Sequence, residues 1–257
     1  NLLKCCERAG LQVVDIVLQP LASSEAILTM DERDMGIALI DIGGGTTDIA
    51  VYKDGWLRHT AVLGIGGNHF TNDISIGLKV PFHEAERVKK VYGSALQQHP
   101  DGNVDIDIVA IDGQVRAIPS KYIAEIIQPR GEELLELVKK EITMINENGI
   151  AVSGAVLTGG ASLLAGFDRL SEVTLAVPVR VGYPVSLSRK DFEGDSLRSV
   201  SGLKGEYNSP MFATAIGLVL YGAESLIASD RMVFSSDLFN RIVNKMTGWF
   251  KKIVGSK

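Results

Sequence analysis

Long hydrophobic runs, cysteine and aromatic residues are all scarce in this sequence of 257 residues. The longest apolar run, residues 211–223, is too short to cross a bilayer and predicts a buried helix. Cys5 and Cys6 are neighbours that rarely pair, which argues against a disulfide scaffold and for a reducing cytoplasm. No basic-then-apolar leader follows Asn1, so we expect no signal peptide, and a start without Met suggests a fragment.

Several common catalytic and metal-binding patterns are also missing. The histidines at positions 59, 69, 83 and 99 show no ligand spacing, so a structural zinc site is not expected. Neither a G-x-S-x-G elbow nor a cysteine–histidine protease pattern is present. With 46% hydrophobic and 22% charged residues, the composition is otherwise that of an ordinary folded protein.

Positive charge is in short supply except near the end of the chain. The formal net charge is -5, yet residues 238–257 carry five basic side chains and no acidic one. The rest of the chain therefore holds 21 basic against 31 acidic residues, which argues against general nucleic-acid binding. The basic C-terminal segment needs its own explanation.

Strand-like and helix-like segments alternate along the chain, which predicts an α/β sheet with an inserted α+β piece at about 81–149. A long helix, interrupted by Pro129, is expected over 121–147. We predict further elements as follows: helices over 1–9, 20–30, 67–78 and 81–92, strands over 11–18, 36–42, 46–52 and 56–63, a strand followed by glycines and a helix start over 153–162, and a hairpin around Asp112-Gly113.

The segment DIGGGTTDIA, residues 41–50, places three glycines between two aspartates directly after an apolar strand. One interpretation is a tight β-turn in which glycine supplies a positive φ. The other is a phosphate hairpin: the bare backbone at Gly43, Gly44 and Gly45 approaches phosphate oxygens, and the hydroxyls of Thr46 and Thr47 add donors.

Carboxylates beside a phosphate site make sense if a divalent cation lies between them, most simply magnesium. Asp41 would then hold magnesium-bound water or orient the attacking one, and Asp48 would act through water. The hairpin lacks the lysine and the spacing of a Walker A loop, so it is a different solution to phosphate binding.

Two further patterns are ambiguous by themselves. Gly159 and Gly160, in VLTGGAS, either make an ordinary strand–helix connection or let a flat base or ribose lie on the backbone. Glu86 has helical spacing to Lys89 and Lys90, which is typical of an exposed ion pair as well as of a ligand contact.

Together these segments resemble the actin/Hsp70/sugar-kinase ATPase superfamily. DIGGGTTD is similar to its second phosphate motif, LTGGAS to its adenosine motif, and SPMFATAIGL to its second connecting helix. The resemblance implies an actin-like, ribonuclease H-like fold that binds ATP and magnesium. It also implies nucleotide contacts from Gly66 and Gly67 in GIGGN, from Glu86, Lys89 and Lys90 in AERVKK, and from Gly159, Gly160 and Ala161.

Within the superfamily, the order of elements over the whole chain is most similar to the bacterial cell-division FtsA family. The resemblance covers only the second half of that family, without the first phosphate loop. It implies an actin-like subdomain 2A at 1–80 and 150–226, an inserted subdomain 2B at 81–149, a linker at 227–236 and an amphipathic helix at 237–257.

Membership would imply ATP binding with at most weak hydrolysis, self-association into filaments, and recruitment of the FtsZ C-terminal tail and of other divisome proteins. The expected location is the cytoplasmic face of the inner membrane at the division site. We place the FtsZ contact on 104–147, with Lys121 and Arg130 as candidates, although a solvated helix face remains the favoured interpretation of either residue alone.

The C-terminal segment 238–254 has the pattern of an amphipathic helix with an apolar and a basic face. Packing on its own domain is one interpretation. A wholly basic or neutral polar face and interfacial aromatics favour an anionic membrane surface. The residues predicted to contact the membrane are Leu238, Phe239, Ile242, Val243, Lys245, Met246, Trp249, Phe250, Lys251, Lys252 and Ile253.

Three functions compete at this point. The first is a nucleotide-dependent adaptor that anchors the FtsZ ring to the membrane. The second is a kinase or phosphatase of the same fold, and the third a pilus-assembly actin-like protein. The basic amphipathic tail speaks against both alternatives.

Overall fold

A computed structural model describes residues 1–97, 104–184 and 207–229 of the chain, with the backbone alone for 224–229. In chain order, the elements are α1 Leu2–Arg8, α2 Gln19–Ile27, α3 Met30–Met35, β1 Ile37–Ile42, β2 Thr47–Lys53, β3 Trp56–Leu63, α4 Gly67–Leu78, α5 Phe82–Tyr92, β4 Asp105–Val109, β5 Val115–Pro119, α6 Lys121–Glu147, β6 Gly154–Thr158, α7 Phe167–Leu175, β7 Val179–Val181 and α8 Ala213–Ser229. Short 3-10 turns at Gly160–Leu163 and Pro210–Phe212 follow β6 and precede α8.

The central sheet has five strands in the order β3-β2-β1-β6-β7. Strands β1, β2 and β3 pair antiparallel, whereas β1, β6 and β7 pair parallel. Parallel pairing brings the carboxyl ends of β1 and β6 to the same edge of the sheet. The glycine segments that follow these two strands therefore lie side by side.

Helices cover both faces of the sheet. Alternate residues of β1 and β2 point to opposite faces, and because apolar residues occur on both, each face is buried against helices. On one side, Ile40, Ile42, Ile49 and Val51 join a large core that also includes residues of α4, α5, α6 and α7. On the other side, a smaller core packs α2 and α8 against the strands; it contains Ala26, Ile27, Leu39, Ala50, Tyr52, Ile216 and Leu220.

The second sheet is the β4–β5 hairpin, which lies on α5 and α6. Ile106 and Ile108 alternate with exposed residues and enter the same large core as the central sheet. Glu84 of α5 accepts a hydrogen bond from the backbone N–H of Val109 at 3.0 Å and is paired with Arg87 at 2.7 Å. The hydrogen bond from Arg87 outweighs burial and holds the pKa of Glu84 at about 2. The division into subdomains 2A and 2B stays a prediction.

Residues 11–18 do not form the strand that their apolar, β-branched sequence predicts. The segment has no regular structure up to Val17, and Leu11, Val14 and Ile16 are exposed. An isolated strand leaves its backbone hydrogen-bonding groups unpaired. Within the described residues, no strand lies beside 11–18 to pair with this segment. The α1 helix also buries no side chain.

Two helix predictions also need correction. The expected helix over 20–30 ends at Ile27, and a separate α3 begins after Thr29, whose hydroxyl forms a capping box with Glu32. Pro129 does not interrupt α6, which runs on as one helix from Lys121 to Glu147. Buried side chains on both sides of the proline hold it together, which offsets the missing N–H.

The apolar run at 211–223 forms the 3-10 turn and most of α8, as expected. The α8 helix continues to Ser229, into the segment predicted as a linker over 227–236. Among the described helices, none combines the length and the hydropathy that crossing a membrane requires. The predicted membrane helix over 237–257 lies outside the described residues.

Candidate functional site

The glycine hairpin between β1 and β2 is closed by one hydrogen bond, from Gly43 N–H to the Thr46 carbonyl at 2.9 Å. None of its three glycines has a positive φ, so the simple turn interpretation does not account for them. A side-chain Cβ at Gly43 or Gly44 would make only ordinary contacts, at 3.4 and 3.5 Å, and one at Gly45 would meet nothing within 4 Å. The protein itself leaves this space open.

The hairpin rests on the N-terminus of α4. The N–H groups of Gly67 and Asn68 donate to the carbonyls of Gly43 at 2.8 Å and Gly44 at 2.7 Å. A Cβ at Gly66 would lie 2.7 Å from the Gly43 oxygen, so glycine is needed there for this close packing. Gly66 therefore packs against the hairpin backbone, and Gly67 lines the cavity described below.

The two threonines of the hairpin play different parts. Thr47 is fully buried and its hydroxyl donates to the Ile65 carbonyl at 2.8 Å, so it fastens the β3–α4 connection. Thr46 is exposed and its hydroxyl lies 3.4 Å from an Asp48 carboxylate oxygen. Of the two hydroxyls, that of Thr46 is the one placed to meet a ligand.

Asp41 and Asp48 are directly opposite each other on β1 and β2 and share the sheet face that packs against α2 and α8. The Oδ2 atom of Asp41 accepts hydrogen bonds from Gln19 at 3.2 Å, Ser23 at 2.8 Å and Thr214 at 3.5 Å. Burial and the neighbouring Asp41 charge raise the pKa of Asp48. A cation bound here would relieve that repulsion, so the pair fits the predicted magnesium role. Within the described residues, no cluster of three or more histidine, cysteine or carboxylate side chains forms a metal site.

The two glycines of the second pair, Gly159 and Gly160, also differ in their surroundings. Gly159 has a φ of 82°, and a Cβ there would lie 2.4 Å from the Ile42 carbonyl and 2.6 Å from Asp41 Oδ1. Gly160 is open, with Met211 Cγ at 3.6 Å as its nearest contact, and lies on the cavity wall beside Ala161. Gly159 thus packs β6 against β1, whereas Gly160 and Ala161 face the cavity.

The charged side chains of α5 form the ion pairs that the sequence predicts and are also placed to contact a ligand, so the two interpretations do not exclude each other. Glu86 pairs with Lys89 at 2.7 Å and with Lys90 at 3.2 Å, so the ion pairs exist, and all three residues also line the cavity. Burial alone would raise the pKa of Glu86, but hydrogen bonds from Lys89 and Thr71 hold it at about 2. Glu86 is therefore a permanent anion at neutral pH.

These segments enclose one cavity of about 510 Å³ at the carboxyl end of the sheet, within the normal range for a small-molecule site. Its wall is mostly apolar, with polar groups at the hairpin, at Asn68 of α4 and on α5. The lining residues are Gly43, Gly44, Gly67, Asn68, Phe70, Glu86, Lys89, Lys90, Val91, Gly93, Gly160, Ala161, Leu163, Leu164, Ala165 and Met211. Five of the predicted site residues belong to the segments that form the cavity but do not line it: Gly45, Thr46, Thr47, Gly66 and Gly159. Asp41 and Asp48 lie on the other face of the sheet.

Sequence reasoning missed several residues of the site. Asn68 and Met211 line the cavity, and their only signal was a position next to recognised motifs. Thr71, Ser23 and Thr214 act through hydrogen bonds to Glu86 or Asp41. These contacts join residues far apart in the chain, so no local pattern identifies them.

The candidate partner residues on α6 differ in their surroundings. Arg130 donates to both carboxylate oxygens of Asp73, at 2.6 and 3.1 Å, and also pairs with Glu133. The hydrogen bonds to Asp73 raise the pKa of the Arg130 guanidinium. The Arg130–Asp73 ion pair connects α6 to α4. Lys121 is exposed, with its ammonium 5.5 Å from the centre of the Tyr122 ring. Their role toward a partner stays a prediction.

The sheet order, the covering helices and the paired glycine loops define an actin-like ATPase fold, which confirms the predicted fold class. MreB5 of Spiroplasma citri bound to ADP is similar with a TM-score of 0.66 and 20% identity over 88% of this chain and 65% of that chain. A PilM–PilN type IV pilus biogenesis complex is similar with a TM-score of 0.64 and 23% identity over 86% of this chain and 56% of that one. The predicted C-terminal helix lies outside the described residues, so these structural comparisons do not test it.

The family model "Cell division protein FtsA" matches residues 38–217. The chain belongs to this FtsA family of cell division proteins, as its motifs predicted. It is 38% identical to FtsA of Pseudomonas aeruginosa over 91% of this chain and 53% of that protein. For FtsA of Escherichia coli K12 the identity is 34%, over 98% of this chain and 58% of that protein. The chain therefore spans little more than half the length of these relatives.

Proposed function

We propose that this protein binds ATP with magnesium in the cavity and acts as a nucleotide-dependent adaptor that ties the FtsZ ring to the inner membrane. Its place would be the cytoplasmic face of that membrane at the division site. Family membership supports the cell-division role. The crystal structures of MreB5 bound to ADP and AMPPNP, which have the same fold, support a nucleotide as the ligand.

The observation that carries the nucleotide proposal is the unused space at the glycine hairpin. Glycine is selected either for a positive φ or for close approach of another group to the backbone. Gly43, Gly44 and Gly45 show no positive φ, and a Cβ added to any of them would meet no protein atom closer than 3.4 Å. A ligand is the remaining group that needs the space, and exposed N–H groups in a hairpin suit phosphate oxygens.

Asp41 and Asp48 are the residues that would hold magnesium, through water. Magnesium, when bound, neutralises phosphate charge and orders water around it. The protein's own contribution is to hold Asp41 in one position by hydrogen bonds from α2 and α8. Hydrolysis is at most slow, and the protein works mainly through its partners.

We expect Gly45→Ala to weaken ATP binding by about tenfold or more without loss of stability. The added methyl meets no protein atom, so folding is unaffected, but it stands where a phosphate approaches the backbone. Gly64→Ala is the matched control, because Gly64 is also exposed, has no positive φ and meets nothing within 4 Å. Calorimetric titration of MgATP into the wild type and both variants measures the effect. Equal affinity of the two variants would disprove the phosphate role of the hairpin.

The membrane proposal rests on the composition of the C-terminal segment. Its apolar residues include Trp249 and Phe250, and its polar side carries Lys245, Lys251 and Lys252 without an acid. Such a helix lies in the interface of an anionic bilayer.

The FtsZ tail and filament contacts are proposed on family grounds, with the surface of 104–147 as the place for FtsZ.

Removal of residues 237–257 is expected to reduce sedimentation with anionic liposomes by about tenfold or more, since each basic residue near the surface contributes on the order of 1 kcal/mol. Liposomes of neutral lipid serve as a control, and the intact chain is expected to bind them more weakly. Equal binding of the intact and shortened chains to anionic liposomes would contradict the membrane proposal while leaving the nucleotide proposal standing.

A further inference from the structure

We propose that Thr71 is a positioning residue that directs the Glu86 carboxylate toward a ribose hydroxyl and so sets a preference for ribonucleotides. Thr71 is fully buried behind the cavity wall, and we expect no contact between its side chain and the ligand. The inference rests on the proposed nucleotide site and adds the residue on which its sugar selectivity depends.

One oxygen of Glu86 is already committed to protein partners. Its Oε2 atom accepts a hydrogen bond from the Thr71 hydroxyl at 2.5 Å and lies 2.7 Å from the Lys89 ammonium. Lys89 also donates to Thr71 Oγ1 at 2.7 Å and to the Gly67 carbonyl at 2.9 Å. These contacts join α5 to the first turn of α4 and fix the plane of the carboxylate.

The other oxygen, Oε1, is the one that can accept from a ligand. Its protein contact is with the Lys90 ammonium at 3.2 Å, and the Lys90 side chain is 68% exposed. A long exposed lysine moves away at little cost, since surface ion pairs contribute little. A permanently ionised carboxylate at the edge of a mostly apolar cavity is an acceptor for hydroxyl groups, and in a nucleotide those belong to the ribose.

The role of Thr71 can be separated from packing. The α4–α5 contact is carried by buried apolar side chains such as Phe70, Ile74, Ala85 and Val88. Thr71→Val keeps the shape of the side chain and removes only the hydroxyl, whereas Thr71→Ser keeps the hydroxyl. A residue that acts only through stability would change binding of all nucleotides alike, but a positioning residue changes the ratio between ribose and deoxyribose ligands.

The test is calorimetric titration of the whole chain with ATP, 2′-deoxy-ATP and 3′-deoxy-ATP, each with magnesium. The wild type and Thr71→Ser are expected to bind ATP about tenfold more tightly than at least one deoxy analogue. In Thr71→Val this ratio is expected to fall below about threefold. Circular dichroism and a urea midpoint verify that each variant is folded.

The same ratio in folded Thr71→Val as in the wild type would overturn the inference, and so would a wild type that binds ATP and both analogues equally. A wild type that binds no nucleotide would instead overturn the proposed function itself. If Thr71→Val does not fold, Thr71→Ala replaces it, because it also removes the hydroxyl that donates to Glu86. An unchanged ratio in folded Thr71→Ala would equally overturn the inference.

Discussion

Replacing Gly217 with alanine is expected to lower the free energy of unfolding by about 3 kcal/mol or more, at the upper end of overpacking effects. Gly217 lies on the buried side of α8, where a Cβ would stand 1.6 Å from the Ala22 carbonyl oxygen and 2.4 Å from its carbon. Both are backbone atoms of α2, so no rotamer change removes the clash. The two helices must separate, which opens the smaller core between them and the sheet.

Gly222→Ala is the matched control, because it lies in the same helix and a Cβ there meets nothing within 4 Å. Since alanine is the better helix former, this variant is expected to gain about 0.5–1 kcal/mol. Urea unfolding followed by circular dichroism measures both variants. A loss below about 1 kcal/mol for Gly217→Ala would mean that α2 and α8 do not pack this closely.

The same helix pair matters for the candidate site. Ser23 of α2 and Thr214 of α8 are 2.9 Å apart, and both contact the Asp41 carboxylate. Separation of the helices would therefore release Asp41 from its position. We expect Gly217→Ala to weaken the magnesium dependence of ATP binding as well as stability.

Much of the fold could be predicted because its elements have strong local signals. The β3 strand, α4 and α6 have the predicted bounds, and the turns of the β2–β3 and β4–β5 hairpins carry Asp-Gly pairs. Residues 11–18 have an equally good strand pattern and still form no strand. Strand formation depends on a partner, which a local pattern does not report.

The site could be predicted in part for a similar reason. Glycine motifs identify where the backbone is bare, and the parallel order of β1 and β6 brings both motifs together. Sequence did not distinguish glycines needed for protein packing, such as Gly66 and Gly159, from those left open, such as Gly45 and Gly160. That distinction depends on the distance to atoms of other segments.

The position of Asp41 shows the limit most clearly. From the sequence Asp41 was expected beside the phosphate loop, and it is the second-last residue of β1, close to the glycines. Strand alternation, however, turns its side chain to the α2–α8 face, across the sheet from the cavity. In the proposed function, the cavity and the carboxylate pair would therefore be two parts of one site, connected by the hairpin.

Gly159→Ala is expected to destabilise the protein by roughly 2–4 kcal/mol. With φ 82° and ψ 170°, Gly159 adopts a backbone conformation that is essentially restricted to glycine and that costs other residues about 1–3 kcal/mol. The added Cβ would also lie 2.4 Å from the Ile42 carbonyl oxygen, at the point where β6 packs on β1. Because that oxygen belongs to the backbone of a central strand, relief requires a shift of the strand end and the hairpin after it.

Gly160→Ala provides the control for this prediction. It changes the neighbouring glycine, which has no positive φ and whose nearest contact is the Met211 side chain at 3.6 Å, so its stability is expected to stay within about 1 kcal/mol of the wild type. Thermal and urea unfolding of the two variants give the comparison. If both variants unfolded at the same midpoint, Gly159 would not be the packing residue between β1 and β6, and the separation of the pair into one structural and one ligand-facing glycine would be wrong.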